Sequence, residues 1–154
     1  MMVDCIMGID PGVTGGIAFY YPDNPGHVIA EDIPVVAGEV DTDALATRVK
    51  QIRPTLAYIE RASSMPGQGV ASTFKFGAAY GALRATLSVM AVPHAIVSPQ
   101  VWKRHFGLDK DKEKSRAMAK RIWPGVAVFD RKKDHGRAEA ALIALYASQT
   151  RRAA

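Results

Sequence analysis

Apolar positions in the first third of the chain fall in short dense runs rather than at helical spacing. CIMGID (5–10), GGIAFYY (15–21) and HVIAED (27–32) are bounded by turn formers, Pro11-Gly12 and then Tyr21-Pro22-Asp23-Asn24-Pro25-Gly26. Such runs predict three consecutive strands joined by tight connections. Segment 35–40 reads as irregular. Leu45, Val49 and Ile52 then recur at helical spacing. They predict an amphipathic helix opened by Asp41-Thr42-Asp43, running to about Arg53 and stopped by Pro54. Residues 56–60, LAYIE, form a further short apolar run that ends in an acid.

A loop over 61–70, containing Met65-Pro66-Gly67-Gln68-Gly69, separates that run from a helix predicted over 72–89. Phe76, Tyr80, Leu83 and Leu87 make its apolar stripe. Gly77 and Gly81 lie i, i+4 and leave a small-residue groove. Interior glycine costs about 1 kcal/mol relative to alanine, so the pair predicts close packing, on the chain's own sheet or of a second subunit. Residues 95–97 predict a fifth strand, and Ser98-Pro99 the start of a short helix. A basic helix over 112–123, an extended piece over 126–129 and a last helix over 136–150 complete the chain. Ala138, Ala141, Leu142 and Leu145 supply the last stripe. The order, βββαβα followed by a smaller β/α tail, predicts one α/β domain spanning 1–154.

The 154 residues are 48% hydrophobic and 23% charged, the composition of a globular protein. No apolar run approaches the roughly 20 residues of a bilayer span, and the stretch before the first strand is too short for a leader. An intracellular, cytoplasmic location with no membrane partner is the expectation. The single cysteine, Cys5, excludes an internal disulfide and a cysteine-rich zinc site.

The net charge of +5 is unevenly placed. Residues 1–100 carry six Lys/Arg against nine Asp/Glu, whereas 101–154 carry fourteen against six. Lys103 and Arg104 stand beside Trp102, His105 and Phe106, and cations recur through Lys112, Lys120 and Lys132-Lys133 to Arg137. Cations interleaved with aromatics favour a polyanion, and nucleic acid above all, over a merely solvated helix face.

Against this basic background four acids stand out. Asp10 ends the first strand at a Pro-Gly turn, Glu60 ends the fourth, and Asp134 and Glu139 begin the last helix. Glu139 sits in RAEAALIALYA, where a carboxylate is costly to bury without a metal or partner. Phosphodiester cleavage needs an activated water and neutralisation of developing charge. Two Mg²⁺ ions about 3.5–4 Å apart do both, with hard oxygen ligands. The four acids therefore read as a site for Mg²⁺, with Mn²⁺ able to substitute and no small-molecule cofactor. Residues 134 and 139 are five apart, beyond the i, i+4 spacing of one helix face. Convergence thus requires Asp134 to precede the helix. His135, i, i+4 from Glu139, competes with it for the fourth place, and Asp134 is preferred.

At these residues the chain resembles a known family. GIDPGVTGGIA, YIE, FGAAYGALRA, SPQVWK and KKDHGRAEAALIALYA follow the order of RuvC-type Holliday-junction resolvases over roughly residues 4–148. The resemblance implies a ribonuclease H-like fold with a mixed five-stranded sheet and helices on both faces. It implies a homodimer built through the helix at 72–89, and the activity of a crossover junction endodeoxyribonuclease, which nicks branched four-way DNA symmetrically. Carried over by position, Asp10, Glu60, Asp134 and Glu139 would be the catalytic metal ligands. Lys132 or Lys133 would touch the scissile phosphate, and Phe74 would be a base-stacking wedge or a core residue. Here the last two acids are not three residues apart as in the common bacterial pattern. DHGRAEA looks closer to the phage-like or organellar branches.

Three other readings compete. A different nuclease of the same fold would cut flaps, hybrids or duplex, and a junction-binding module would keep the fold without catalysis. Asp10-Pro11-Gly12-Val13-Thr14 also resembles the phosphate loop of actin-like ATPases, but those need two such domains.

Overall fold

The computed structural model describes residues 2–151. Strands β1 (Ile6–Asp10), β2 (Gly16–Tyr20) and β3 (Val28–Asp32) form an antiparallel meander. β4 (Val35–Val36) and β5 (Glu39–Val40) make a small separate hairpin where the sequence predicts irregular chain. Positive φ at Ala37 (52°) and Gly38 (77°) closes that turn. Helix α1 (Thr42–Ile52) follows, its first turn capped by Asp41, which accepts from the Ala44 N–H at 3.0 Å. Such a cap contributes about 1 kcal/mol.

β6 (Leu56–Glu60) returns parallel to β1, and β7 (His94–Val97) runs parallel to β6. The sheet order is β3-β2-β1-β6-β7, the mixed five-stranded sheet expected. Between β6 and β7 runs α2 (Val70–Val89), which begins two residues earlier than predicted. α3 (Pro99–His105), α4 (Lys112–Ile122) and α5 (His135–Thr150) complete the helices. Residues Ala127–Phe129 form a 3₁₀ turn instead of an extended piece, and Phe129 is buried from it beside Trp123.

Alternation along β1 and β2 sorts the core into two layers. Met7, Ile9, Ile17 and Phe19 pack with Leu45 and Val49 of α1 and with Leu83 and Leu87 of α2. Ile6, Ala18 and Tyr20 face the other way, onto Trp102, Ala119, Trp123 and the alanines of α5. α5 crosses directly over β1. A Cβ on Gly8 would lie 2.1 Å from the Ala140 carbonyl oxygen, and one on Gly16 would lie 2.6 Å from the Gly136 backbone. These three glycines let helix and sheet backbones touch, which pins the start of α5 against the end of β1. Among the described residues no helix is long and apolar enough to cross a membrane.

Candidate active site

Parallel pairing of β1 with β6 puts their C-terminal ends side by side, in a register that matches Ile9 with Ile59. Asp10 and Glu60 are therefore adjacent strand termini. Both have the parity of residues that face α5, since Ile6 and Tyr58 pack on that layer. The close contact of Gly136 with Gly15 and Gly16 then lays the first turns of α5 across the same edge. Asp10, Glu60, His135 and Glu139 consequently line one cleft of about 550 Å³, together with Lys75, Phe76, Lys103 and Lys112.

The acids are held differently. Asp10 is only 8% exposed, and no hydrogen bond reaches its carboxylate among the described residues. Burial, then the neighbouring Glu60 and Glu139 carboxylates, push its pKa well above the usual range; Lys112 and Lys103 oppose this. Glu60 is raised too, by burial and by Glu139, with the Trp102 hydrogen bond acting against both. Trp102 donates its indole N–H to Glu60 Oε2 at 2.7 Å. Glu139 Oε2 accepts from the Ser115 hydroxyl at 2.9 Å and lies 3.6 Å from Lys103 Nζ.

His135 is half-buried, and its Nδ1 is a buried atom with no hydrogen-bond partner among the described residues. Burial, then Lys112, lowers its pKa, while Glu139, Glu113 and Asp134 oppose that. The imidazole is thus neutral at pH 7 with a lone pair to offer. The Asp10, Glu60 and Glu139 carboxylates in one cleft are hard oxygen donors that fit a divalent cation such as Mg²⁺ or Mn²⁺, and the unbonded imidazole nitrogen beside them is a softer donor that suits a transition ion. Among the described residues no three such side chains are already drawn together closely enough to close on one ion.

Asp134 departs from the sequence expectation. It precedes α5, as convergence required, but does not line the cleft. Its carboxylate accepts from the Arg131 backbone N–H (2.8 Å) and from the Arg131 guanidinium (2.8 and 3.0 Å), with Arg137 at 3.7 Å. The cause is angular: His135 and Glu139 share a helix face, whereas position 134 is turned away from it.

No protein-family model matches the chain, and no curated protein does. Solved structures do match. Thermus thermophilus RuvC in complex with a Holliday junction substrate superposes with a TM-score of 0.63, covering 94% of this chain and 92% of that one at 18% identity. A second Thermus thermophilus RuvC structure gives 0.63, with 94% and 95% covered at 17% identity. The yeast mitochondrial Holliday junction resolvase Ydc2 gives 0.58, with 94% and 77% covered at 17% identity. This is the RuvC fold.

On that fold the cations predicted to meet DNA separate into three groups. Lys103 lines the acid cleft, joined by Lys112, which the sequence places only in a basic helix. Lys132, Lys133 and Arg104 are exposed outside it. Arg137 is engaged structurally: it donates to Asp32 at 2.8 Å and ties α5 to the end of β3. Phe74 is 77% exposed, which excludes the core role, and it lines a neighbouring groove with Val13, Glu39 and Lys75. Trp102 and Ser115 escaped sequence reasoning as site residues. The one signal was the small Ser115-x-x-x-Ala119 stripe that lets α4 approach α5.

Proposed function

We propose that this chain is a divalent-metal-dependent, structure-selective DNA endonuclease that acts as a homodimer and nicks four-way junctions symmetrically. The observation that carries the reading is the cleft itself: Asp10, Glu60, Glu139 and His135 converge beside Lys75, Lys103 and Lys112 on a RuvC fold. In the first matching structure that fold is bound to a Holliday junction substrate.

Asp10, Glu60, Glu139 and the neutral His135 would hold Mg²⁺, with Mn²⁺ as a substitute. When bound, the metal supplies Lewis acidity, which activates water and offsets charge on the phosphoryl oxygens. Lys103 and Lys112 draw a backbone phosphate to the cleft mouth and balance the acids before DNA arrives. Phe76 packs on Gly12, whose Cβ would lie 3.1 Å from the ring, and walls the side next to the Pro-Gly turn. On this reading the attacking group is water and not a side chain, so hydrolysis proceeds without a covalent enzyme intermediate.

Support for the homodimer comes from α2. Gly77 and Gly81 face open space, with no atom of the described residues within 4 Å of a built Cβ, and Val70 is exposed on the same helix. The glycine groove is therefore not filled by the chain's own sheet. Phe74 remains available to stack on an unpaired base where a junction opens.

The test is nicking of an end-labelled four-way junction beside a matched linear duplex, with Mg²⁺, with EDTA and with Asp10→Asn. Paired symmetric nicks in the junction alone, lost with EDTA and in the variant, are expected. Equal cutting of the duplex would make the protein a general nuclease. Binding without cutting in Mg²⁺ or Mn²⁺ would make it a junction-binding module.

A further inference from the structure

Helix α3 reaches two carboxylates at once. It begins immediately after β7, whose Val97 pairs in register with Glu60. Ser98 caps it through a 3.3 Å bond from the Val101 N–H, and Pro99 occupies its first turn. That rigid start projects Trp102 onto Glu60 and Lys103 toward Glu139. The two side chains also support each other, with Lys103 Nζ 5.5 Å from the Trp102 ring centroid.

We propose that Trp102 is a positioning residue whose indole N–H pins one oxygen of Glu60 and thereby leaves the other to face the cleft and bind metal. This rests on the metal-nuclease reading above. Three features carry it. The 2.7 Å bond goes to Oε2, and no hydrogen bond reaches Oε1 among the described residues. Trp102 is fully buried, so its ring has no freedom to release the acid. Finally, an indole is a donor only: it carries no charge and offers no lone pair to a cation. It orients Glu60 without neutralising it, which a lysine at the same place would do.

The chain supplies its own control. Trp123, the other of its two tryptophans, is equally buried and donates its N–H to the Pro25 carbonyl at 3.0 Å, away from the cleft. The experiment follows the two indole ¹⁵N–¹H resonances of the full-length protein as Mg²⁺ is added without DNA, assigned with Trp102→Phe and Trp123→Phe. Calorimetry measures Mg²⁺ affinity for each protein. The Trp102 resonance is expected to shift saturably while that of Trp123 stays. Trp102→Phe is expected to weaken Mg²⁺ binding about tenfold, in line with outer partners of metal ligands. Trp123→Phe is expected to lower the melting temperature comparably and leave affinity within about twofold of wild type.

A Trp102 resonance that stays still while Mg²⁺ saturates the protein overturns the proposal. So does wild-type affinity in Trp102→Phe, or an equal loss in Trp123→Phe, which would trace the effect to a loosened core. The nuclease reading is judged separately by junction cleavage. A responsive Trp102 in a protein that cuts nothing keeps the positioning role and removes the nuclease, and a silent Trp102 in an active nuclease does the reverse.

Discussion

Asp134 is closed by Arg131, which donates a backbone N–H to one carboxylate oxygen and its guanidinium to both. The acid therefore buttresses the turn that presents His135 instead of entering the cleft. Asp134→Asn retains one oxygen acceptor for that turn and should keep junction cleavage within about tenfold of wild type, whereas His135→Ala should lose about 100-fold or more. Single-turnover nicking at saturating Mg²⁺ separates the two, and a greater loss in Asp134→Asn would return Asp134 to the ligand set.

Burial and the mutual proximity of the acids set a pH dependence. The pKa of Asp10 is raised in the folded chain, by burial first and then by Glu60 and Glu139. Below the unfolded value of about 3.9 the group is protonated in both states and contributes nothing. As pH rises past that value the unfolded chain ionises first, so stability is lost until the folded pKa is passed, and the penalty then persists. Asp10→Asn removes it. In EDTA at pH 7 the variant should melt a few degrees above wild type, with the gap shrinking toward pH 4. Scanning calorimetry across that range is the check; a variant less stable at neutral pH would contradict the sign.

Metal should repair the same penalty. At Mg²⁺ near 100 times its dissociation constant, binding to the folded state alone adds about 2.7 kcal/mol. For a domain of this length that is a rise of roughly 5–10 °C in melting temperature. The rise should vanish with EDTA and in Asp10→Asn.

Cations inside and outside the cleft should fail differently. Lys103→Ala and Lys112→Ala sit beside the acids and should slow cleavage at saturating junction. Lys132→Ala and Lys133→Ala are exposed and should weaken binding, with the salt slope falling by about 1 for each phosphate no longer neutralised. Filter binding over a salt series, paired with single-turnover rates, tells the groups apart.

The open face of α2 makes the oligomer testable. A Cβ on Gly81 meets nothing within 4 Å, and Gly81→Leu gains about 1 kcal/mol of helix propensity, so the fold should survive. A leucine in the groove should nevertheless push the proposed homodimer to monomer in light scattering, and a wild-type chain that is already monomeric would remove the dimer from the reading. A variant that stays dimeric would move the interface elsewhere.

Much of this arrangement was legible in the residues. Dense apolar runs bounded by Pro-Gly and Pro-Asp turns foretold β1 to β3, and Asp41 and Pro54 foretold both ends of α1. Three of the four acids named from the sequence do line one cleft. Asp134 lies outside the cleft, which the residues did not show because an acid that closes the turn before a helix and an acid that faces a site look alike in one dimension: its carboxylate accepts from Arg131, not from α5. The 35–40 hairpin and the 3₁₀ turn at Ala127–Phe129 were missed because each is too short for periodicity to register.

What the sequence determined by itself was the strand ends and their faces. A strand has period two, so once Ile6 and Tyr58 are inside one layer, Asp10 and Glu60 must follow them. A helix turns about 100° per residue, so which of its side chains meet the sheet depends on how it is rotated when it docks. For α5 that rotation comes from the close approach of Gly8 to the Ala140 and Ala144 backbone and of Gly16 to Gly136, residues distant in the chain and brought together only by folding. Tertiary structure therefore decided that the helix face shared by His135 and Glu139 is the one that enters the cleft, whereas the Arg131–Asp134 contact is local, three residues apart in the chain. Tertiary structure likewise placed Trp102, Lys103 and Ser115 around the acids, because those contacts join segments dozens of residues apart.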